Sequence, residues 1–181
     1  MNRTRAWIAA ALLLTLAVGG FGIVSKERLL ATGQPMLLRL APVDPRSLMQ
    51  GDYMALRFAI GEPILQALHA EGEGAPGDSP RIAVVRLEQN GEAVFVRLHR
   101  GEPLAEGERL LRFQIVNAGW PGGRVQVSTD AWFFQEGHAQ RYEAARYGEF
   151  RVSGSGEALL VGMRDEQGKP MGAEGSGGQL D

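Results

Sequence analysis

The chain has 181 residues, 44% of them hydrophobic, with 19 lysines and arginines against 21 aspartates and glutamates and a formal net charge of −2. That balance offers no basic face for nucleic acid, and the absence of cysteine removes disulfides, thiolate nucleophiles and Cys-ligated zinc together. Only Lys26 and Lys169 are lysines; the other basic residues are arginines, which suit fixed bidentate pairing with carboxylates.

Residues 6–24 carry no charge. At a helical rise of about 1.5 Å per residue, they match the roughly 30 Å hydrocarbon core of a bilayer. Arg3 and Arg5 precede this run and Lys26, Glu27 and Arg28 follow it, so the positive-inside rule puts the N-terminus in the cytoplasm and the rest of the chain outside. A cleaved signal peptide competes with this reading, because Ala17 and Gly19 are small residues at the −3 and −1 positions of a cut. The apolar run continues past that cut through Phe21 and Val24, which favours a retained anchor. The sequence therefore predicts a signal-anchor at 1–28 embedded in the lipid bilayer through residues 6–24, a linker at 29–35, one domain at 36–166, and a disordered tail at 167–181 with almost nothing to bury.

Within the domain, residues 36–43 read as a strand with Leu38 and Leu40 turned inward around Arg39. Asp44, Pro45 and Gly51 then suit the cap, first position and end of a single helical turn. From Tyr53 the side chains alternate, with Met54, Leu56, Phe58 and Ile60 on one face and Tyr53, Ala55 and Arg57 on the other. Residues 62–70 form a short helix with Ile64, Leu65 and Leu68 on one side, followed by a loop at 71–80.

Asn90-Gly91 lies between two alternating runs and predicts a hairpin over 81–99 closed by a type I′ turn. Its register would set Leu87 against Val94, Val85 against Val96 and Ala83 against Leu98, all on one core-facing side. A strand at 109–117 turns Leu111, Phe113 and Ile115 inward. A longer strand at 124–135 changes pattern at residues 131–134, where large residues run consecutively. Residues 140–146 have helical propensity but are short. Strands at 148–152 and 158–164, joined by a turn at 153–156, close the domain. Together these elements predict a mainly β fold, an antiparallel sandwich or partly open barrel with one short helix, preceded by an N-terminal transmembrane helix.

The segment Gly51-Asp52-Tyr53-Met54-Ala55-Leu56-Arg57-Phe58 resembles the signature of the GDYXXLXY family of membrane-anchored bacterial proteins, with Phe58 where the family has tyrosine. The likeness continues at Phe133-Phe134-Gln135-Glu136-Gly137, Tyr142-Glu143 and Gly156-Glu157-Ala158-Leu159-Leu160. It implies a membrane-anchored bacterial protein; with the orientation given by the flanking charges, the expectation is a single-pass protein of the bacterial cytoplasmic membrane with its N-terminus cytoplasmic and its C-terminal domain extracytoplasmic. It implies no particular reaction.

The candidate binding residues are Asp44, Arg46, Gly51, Asp52, Tyr53, Leu56, Arg57 and Phe58, together with Glu136, Tyr142, Glu143, Arg146 and Tyr147. If the two groups meet, they form either a polar groove for a peptide, lipid headgroup or partner, or a buried ion-pair network that fixes the turn. No catalytic residue, cofactor or metal is expected. His69, His99 and His138 lack ligand spacing, and Ser47 lacks a base because neither Lys26 nor Lys169 is placed to serve it. The sequence points to a non-catalytic binding or accessory module beside a polytopic membrane protein. The alternative is an envelope hydrolase, either a signal-peptidase-like serine hydrolase at Ser47 or a glycosidase using Glu136, Glu143 or Glu149.

Overall fold

The computed structural model describes residues 2–42, 49–50, 53–72, 77–116, 123–134 and 139–171. Helix α1, Asn2–Thr32, is continuous, and over Ala10–Thr32 it is long and apolar enough by composition to cross a membrane, its apolar run ending at Val24 before Lys26, Glu27 and Arg28. The side chains from Trp7 through Val24 that are described are exposed. The linker expected at 29–35 is largely absent. The helix runs to Thr32, and only Gly33 separates it from strand β1, Gln34–Arg39.

The reason lies in Leu29 and Gly33. Leu29 is buried, which holds the last turn of α1 against the domain, and the Gly33 amide donates to the Leu29 carbonyl at 2.8 Å. A Cβ at Gly33 would collide with that carbonyl and come within 3.0 Å of the Arg151 Cβ, so the passage from helix to strand has room for glycine alone.

The strands form three antiparallel ladders that curl into two half-barrels. In the first, β1 pairs with β9 (Tyr147–Val152), which pairs with β10 (Ala158–Arg164), which pairs with β11 (Pro170–Met171). In the second, β2 (Met49–Gln50), β3 (Tyr53–Ala55) and β8 (Ala131–Phe133) lie side by side in that order. The third has the order β5-β4-β6-β7, with β4 at Gly77–Leu87, β5 at Ala93–Leu98, β6 at Glu108–Val116 and β7 at Arg124–Gln126. Helix α2, Gly61–Ala70, buries Ile64 and Leu68 against the core, and a 3-10 turn spans Ala139–Tyr142. Single bridges from Leu37 to Glu92 and from Leu40 to Phe58 tie β1 to the other sheets.

The mainly β architecture expected from the alternating runs is present, and so are the inward faces. Met54, Leu56, Phe58 and Ile60 are all buried, as are Leu111, Phe113 and Ile115, and they join Met36, Leu38 and Phe150 in one core.

Three β-hairpin turns share one construction. In each, a glycine with positive φ closes a three-residue loop: Gly91 (+84°), Gly156 (+85°) and Gly168 (+76°). Each glycine amide bonds the carbonyl three residues back, and the flanking pairs Glu88–Glu92, Ser153–Glu157 and Asp165–Lys169 close the loop with a second bond. This is a type I turn followed by a left-handed bulge residue, and it corrects the type I′ expectation at Asn90-Gly91. Asn90 does not take positive φ; its side-chain oxygen instead accepts the Glu92 amide at 2.9 Å.

The register near that turn is corrected with it. Ala83 faces Leu98 as expected, but Leu87 faces Ala93, Arg86 faces Val94 and Val85 faces Phe95. A bulge leaves Val96 as the extra residue, which switches the phase of β5. Phe95 then packs against the core while Val94 and Val96 are 44% and 37% exposed.

Other boundaries move as well. Residues 77–80, expected in a loop, belong to β4. The long strand expected at 124–135 breaks into β7 and β8, which lie in different sheets, with Ser128 at φ +62° in the break and Arg124 paired to Asp130 across it at 2.6 Å. Pro170–Met171, expected in a disordered tail, adds a strand to β10.

Candidate functional site

The two regions carrying the signature and its continuation meet in the second sheet. Tyr53 pairs with Phe133, Met54 with Trp132 and Ala55 with Ala131, and the Tyr53 and Phe133 rings lie 5.9 Å apart. Behind them Tyr142 is buried between Trp132, 6.1 Å away and edge-on, and Phe134, stacked at 5.2 Å. Leu56 and Phe58 are buried core residues, and the Phe58 ring meets Phe150 edge-on at 5.3 Å. These positions of the signature thus hold the sheet to the core. Phe133, by contrast, is 73% exposed and leaves an aromatic surface beside Tyr53.

Arg146 folds back on its own segment, donating to the carbonyls of Ala145 at 2.8 Å and Glu143 at 3.2 Å. Arg57 and Glu143 are exposed. Asp44, Arg46, Gly51, Asp52 and Glu136 lie outside the described residues, as do Ser47 and His138. Tyr147 is buried, and its partner is Arg39, which the alternation of its strand marks only as an outward residue.

Arg39 organises a polar cluster drawn from distant parts of the chain. Its Nε donates to Glu92 Oε1 at 3.1 Å and its Nη1 to Glu166 Oε1 at 3.3 Å. Nη2 bonds the Tyr147 hydroxyl, and the guanidinium lies 4.6 Å from the centre of the Tyr147 ring. One strand, two hairpin turns and β9 therefore converge on a single side chain. Burial pushes the Glu92 carboxyl up, but the hydrogen bond and charge of Arg39 outweigh it and hold the group below the usual carboxylate range. The bond to Glu92 raises the Arg39 guanidinium, while burial and then the Glu92 charge push the Tyr147 phenol up. These shifts hold Glu92 and Arg39 charged and keep the Tyr147 phenol protonated. Glu149 and Arg164 make a further half-buried pair on the same sheet at 2.8 Å.

Loop residues 99–108 are fastened in the same manner. The buried Glu108 takes Arg97 at 3.0 Å and the Ala105 amide at 2.9 Å, and Glu102 takes Arg97 and the Arg100 amide. Among the described residues no group of three or more metal-ligating side chains converges.

Two clefts flank the point where α1 reaches the domain. One, of about 550 Å³, lies between Ser25, Arg28 and Thr32 of the helix and a wall that includes Leu104, Arg109 and Ser155. The other, of about 380 Å³, is bordered by Lys26, Arg112, Gln126 and Ser128. Glu157 lines both clefts, and its ion pair with Lys26 at 2.5 Å stands at their shared border. No sequence signal marked these clefts, because they exist only once the helix is fixed against the turn between β9 and β10.

No curated protein and no solved structure matches the chain. The sequence does match the family described as GDYXXLXY protein over residues 15–163, a span that takes in the end of α1, the paired signature strands and β10. The chain therefore belongs to the GDYXXLXY family.

Proposed function

We propose that this chain is a single-pass, membrane-anchored module whose β domain stands outside the cytoplasm against the bilayer surface, where it binds or accompanies a polytopic membrane protein without catalysing a reaction. The observation that carries the reading is the direct passage from α1 into β1. A flexible tether would let the domain search solution, whereas a helix fastened through Leu29 and Gly33 gives it one attitude relative to the membrane. That arrangement serves recognition of something held in the same bilayer. The Arg39 cluster supports the non-catalytic part, since Arg39 is engaged by Glu92, Glu166 and Tyr147 together and so ties separate segments of the domain to one another.

The test is photo-crosslinking in native membranes from probes placed singly at Leu13 and at Phe133, both exposed, followed by purification in mild detergent. The expected result is a chain that resists carbonate extraction and crosslinks to one multi-spanning protein that also co-purifies with it. A chain that washes off the membrane, or one that purifies alone and turns over an envelope substrate, overturns the proposal.

A further inference from the structure

We infer that the cleft between the last two turns of α1 and the β9–β10 turn is a binding site for the headgroup of an anionic phospholipid, with its phosphodiester held by Arg28 and Arg109. The inference rests on α1 crossing the bilayer, and from there it follows from depth, charge and shape.

Arg28 lies four residues beyond the last apolar position, Val24, and so about 6 Å past the hydrocarbon edge. The headgroup layer extends roughly 5–7 Å on each side, so the Arg28 guanidinium stands at the level of the phosphates. Arg28 is exposed on the cleft wall, and among the described residues its side chain makes no hydrogen bond or ion pair. Arg109 across the cleft spends Nε on Gln34 at 2.7 Å and Nη1 on the Glu108 carbonyl at 2.9 Å, which fixes its plane and leaves Nη2 for a ligand. The nearby carboxylates are already engaged, Glu108 by Arg97 and Glu157 by Lys26. The net field in the cleft is therefore positive. Leu104, 41% exposed at the rim, adds an apolar surface for the glycerol and the first methylenes. A two-arginine clamp with an apolar lip fits an anionic diester whose tail continues along α1.

The full chain is reconstituted in nanodiscs of equal parts phosphatidylglycerol and phosphatidylcholine, released in the mass spectrometer, and scored for retained lipid. Wild type should keep one phosphatidylglycerol in preference to phosphatidylcholine. Retention should fall about tenfold in Arg28→Gln, be largely restored in Arg28→Lys, and stay unchanged in Arg141→Gln, an exposed arginine away from the cleft. Arg28 has no described partner to lose, so its variants should fold like wild type by circular dichroism. Equal retention in Arg28→Gln, or no preference for phosphatidylglycerol, overturns the headgroup site even where carbonate extraction shows α1 in the membrane. A chain that carbonate extracts overturns the anchor and the site together. Binding of soluble glycerol phosphate to lipid-free chain, lost in Arg28→Gln, would assign the cleft to a soluble phosphate ester and overturn the lipid assignment.

Discussion

The ring of Phe58 and the bare backbone of Gly148 fit one another: a methyl group at Gly148 would lie 2.9 Å from Phe58 Cε1 and 3.1 Å from Leu160 and Phe150. Phe58 ends the family signature, and Gly148 is the second residue of β9, so the signature strand and the first sheet are keyed together at this point. Gly148→Ala should therefore overpack the core and destabilise the domain by about 1–3 kcal/mol. In a Phe58→Leu background the added methyl gains room, so the same change should cost less, and a double-mutant cycle by urea unfolding measures the coupling. Strict additivity of the two changes would show that the contact does not carry energy.

The hairpin gives a second prediction. Because Gly91 holds φ +84°, Gly91→Ala should cost about 1–2 kcal/mol from backbone strain alone. The bulge at Val96 makes the two neighbouring positions unequal. Phe95→Lys removes an aromatic ring from the core edge and should cost about 1–3 kcal/mol, whereas Val96→Lys changes an exposed position and should stay within about 0.5 kcal/mol. Comparison of urea midpoints decides the matter, and a larger cost at Val96 would mean that the bulge is misplaced.

Stability should fall at both ends of the pH scale. The Glu92 carboxyl is held below its ordinary range in the folded chain, so its contribution is present above that range and is lost as pH falls through the folded value. The Tyr147 phenol is raised, so its contribution is complete below the ordinary tyrosine value and is lost as pH rises through the folded one. Glu92→Gln should flatten the acid limb of the melting temperature against pH, and Tyr147→Phe the alkaline limb. An acid limb unchanged in Glu92→Gln would place the titrating carboxylate elsewhere.

What the sequence revealed, and what it concealed, follows from the range of the forces involved. Alternation is a local consequence of the pleat, so the burial of Met54, Leu56, Phe58, Ile60, Leu111, Phe113 and Ile115 could be read directly. The strand Ala158–Arg164, an apolar run after a glycine-bearing turn, and the helix near Gly61–Ala70, with Ile64 and Leu68 on one face, were legible from equally local signals. Asn90-Gly91 announced a turn but not its type, because Asn-Gly suits both a two-residue I′ loop and the last two positions of a type I turn with a bulge. A bulge such as that at Val96 leaves no compositional trace. The partners of Arg39 come from segments 53, 108 and 127 residues away, beyond any local pattern. The meeting of Tyr53 with Phe133 became visible only in the strand pairing, and Asp44, Arg46, Gly51, Asp52 and Glu136 lie outside the described residues.

The last prediction concerns the junction that fixes the domain to its helix. Gly33→Ala places a methyl against the Leu29 carbonyl and the Arg151 side chain, and the contact is backbone on one side, so a rotamer change cannot relieve it. The least costly relief is to release the final turn of α1. Freeing a buried leucine costs about 1.5–3 kcal/mol, which is less than opening the main core. In nanodiscs, the Gly33 amide, bonded to Leu29 in wild type, and its neighbours at 30–32 should then exchange hydrogen about 10–100 times faster, while amides of β4 and β6 keep their protection. A Gly-Ser-Gly-Ser insertion after Thr32 should produce the same local pattern without the steric conflict. Were residues 29–35 a loose linker, these amides would already exchange rapidly in wild type, and neither change would alter them.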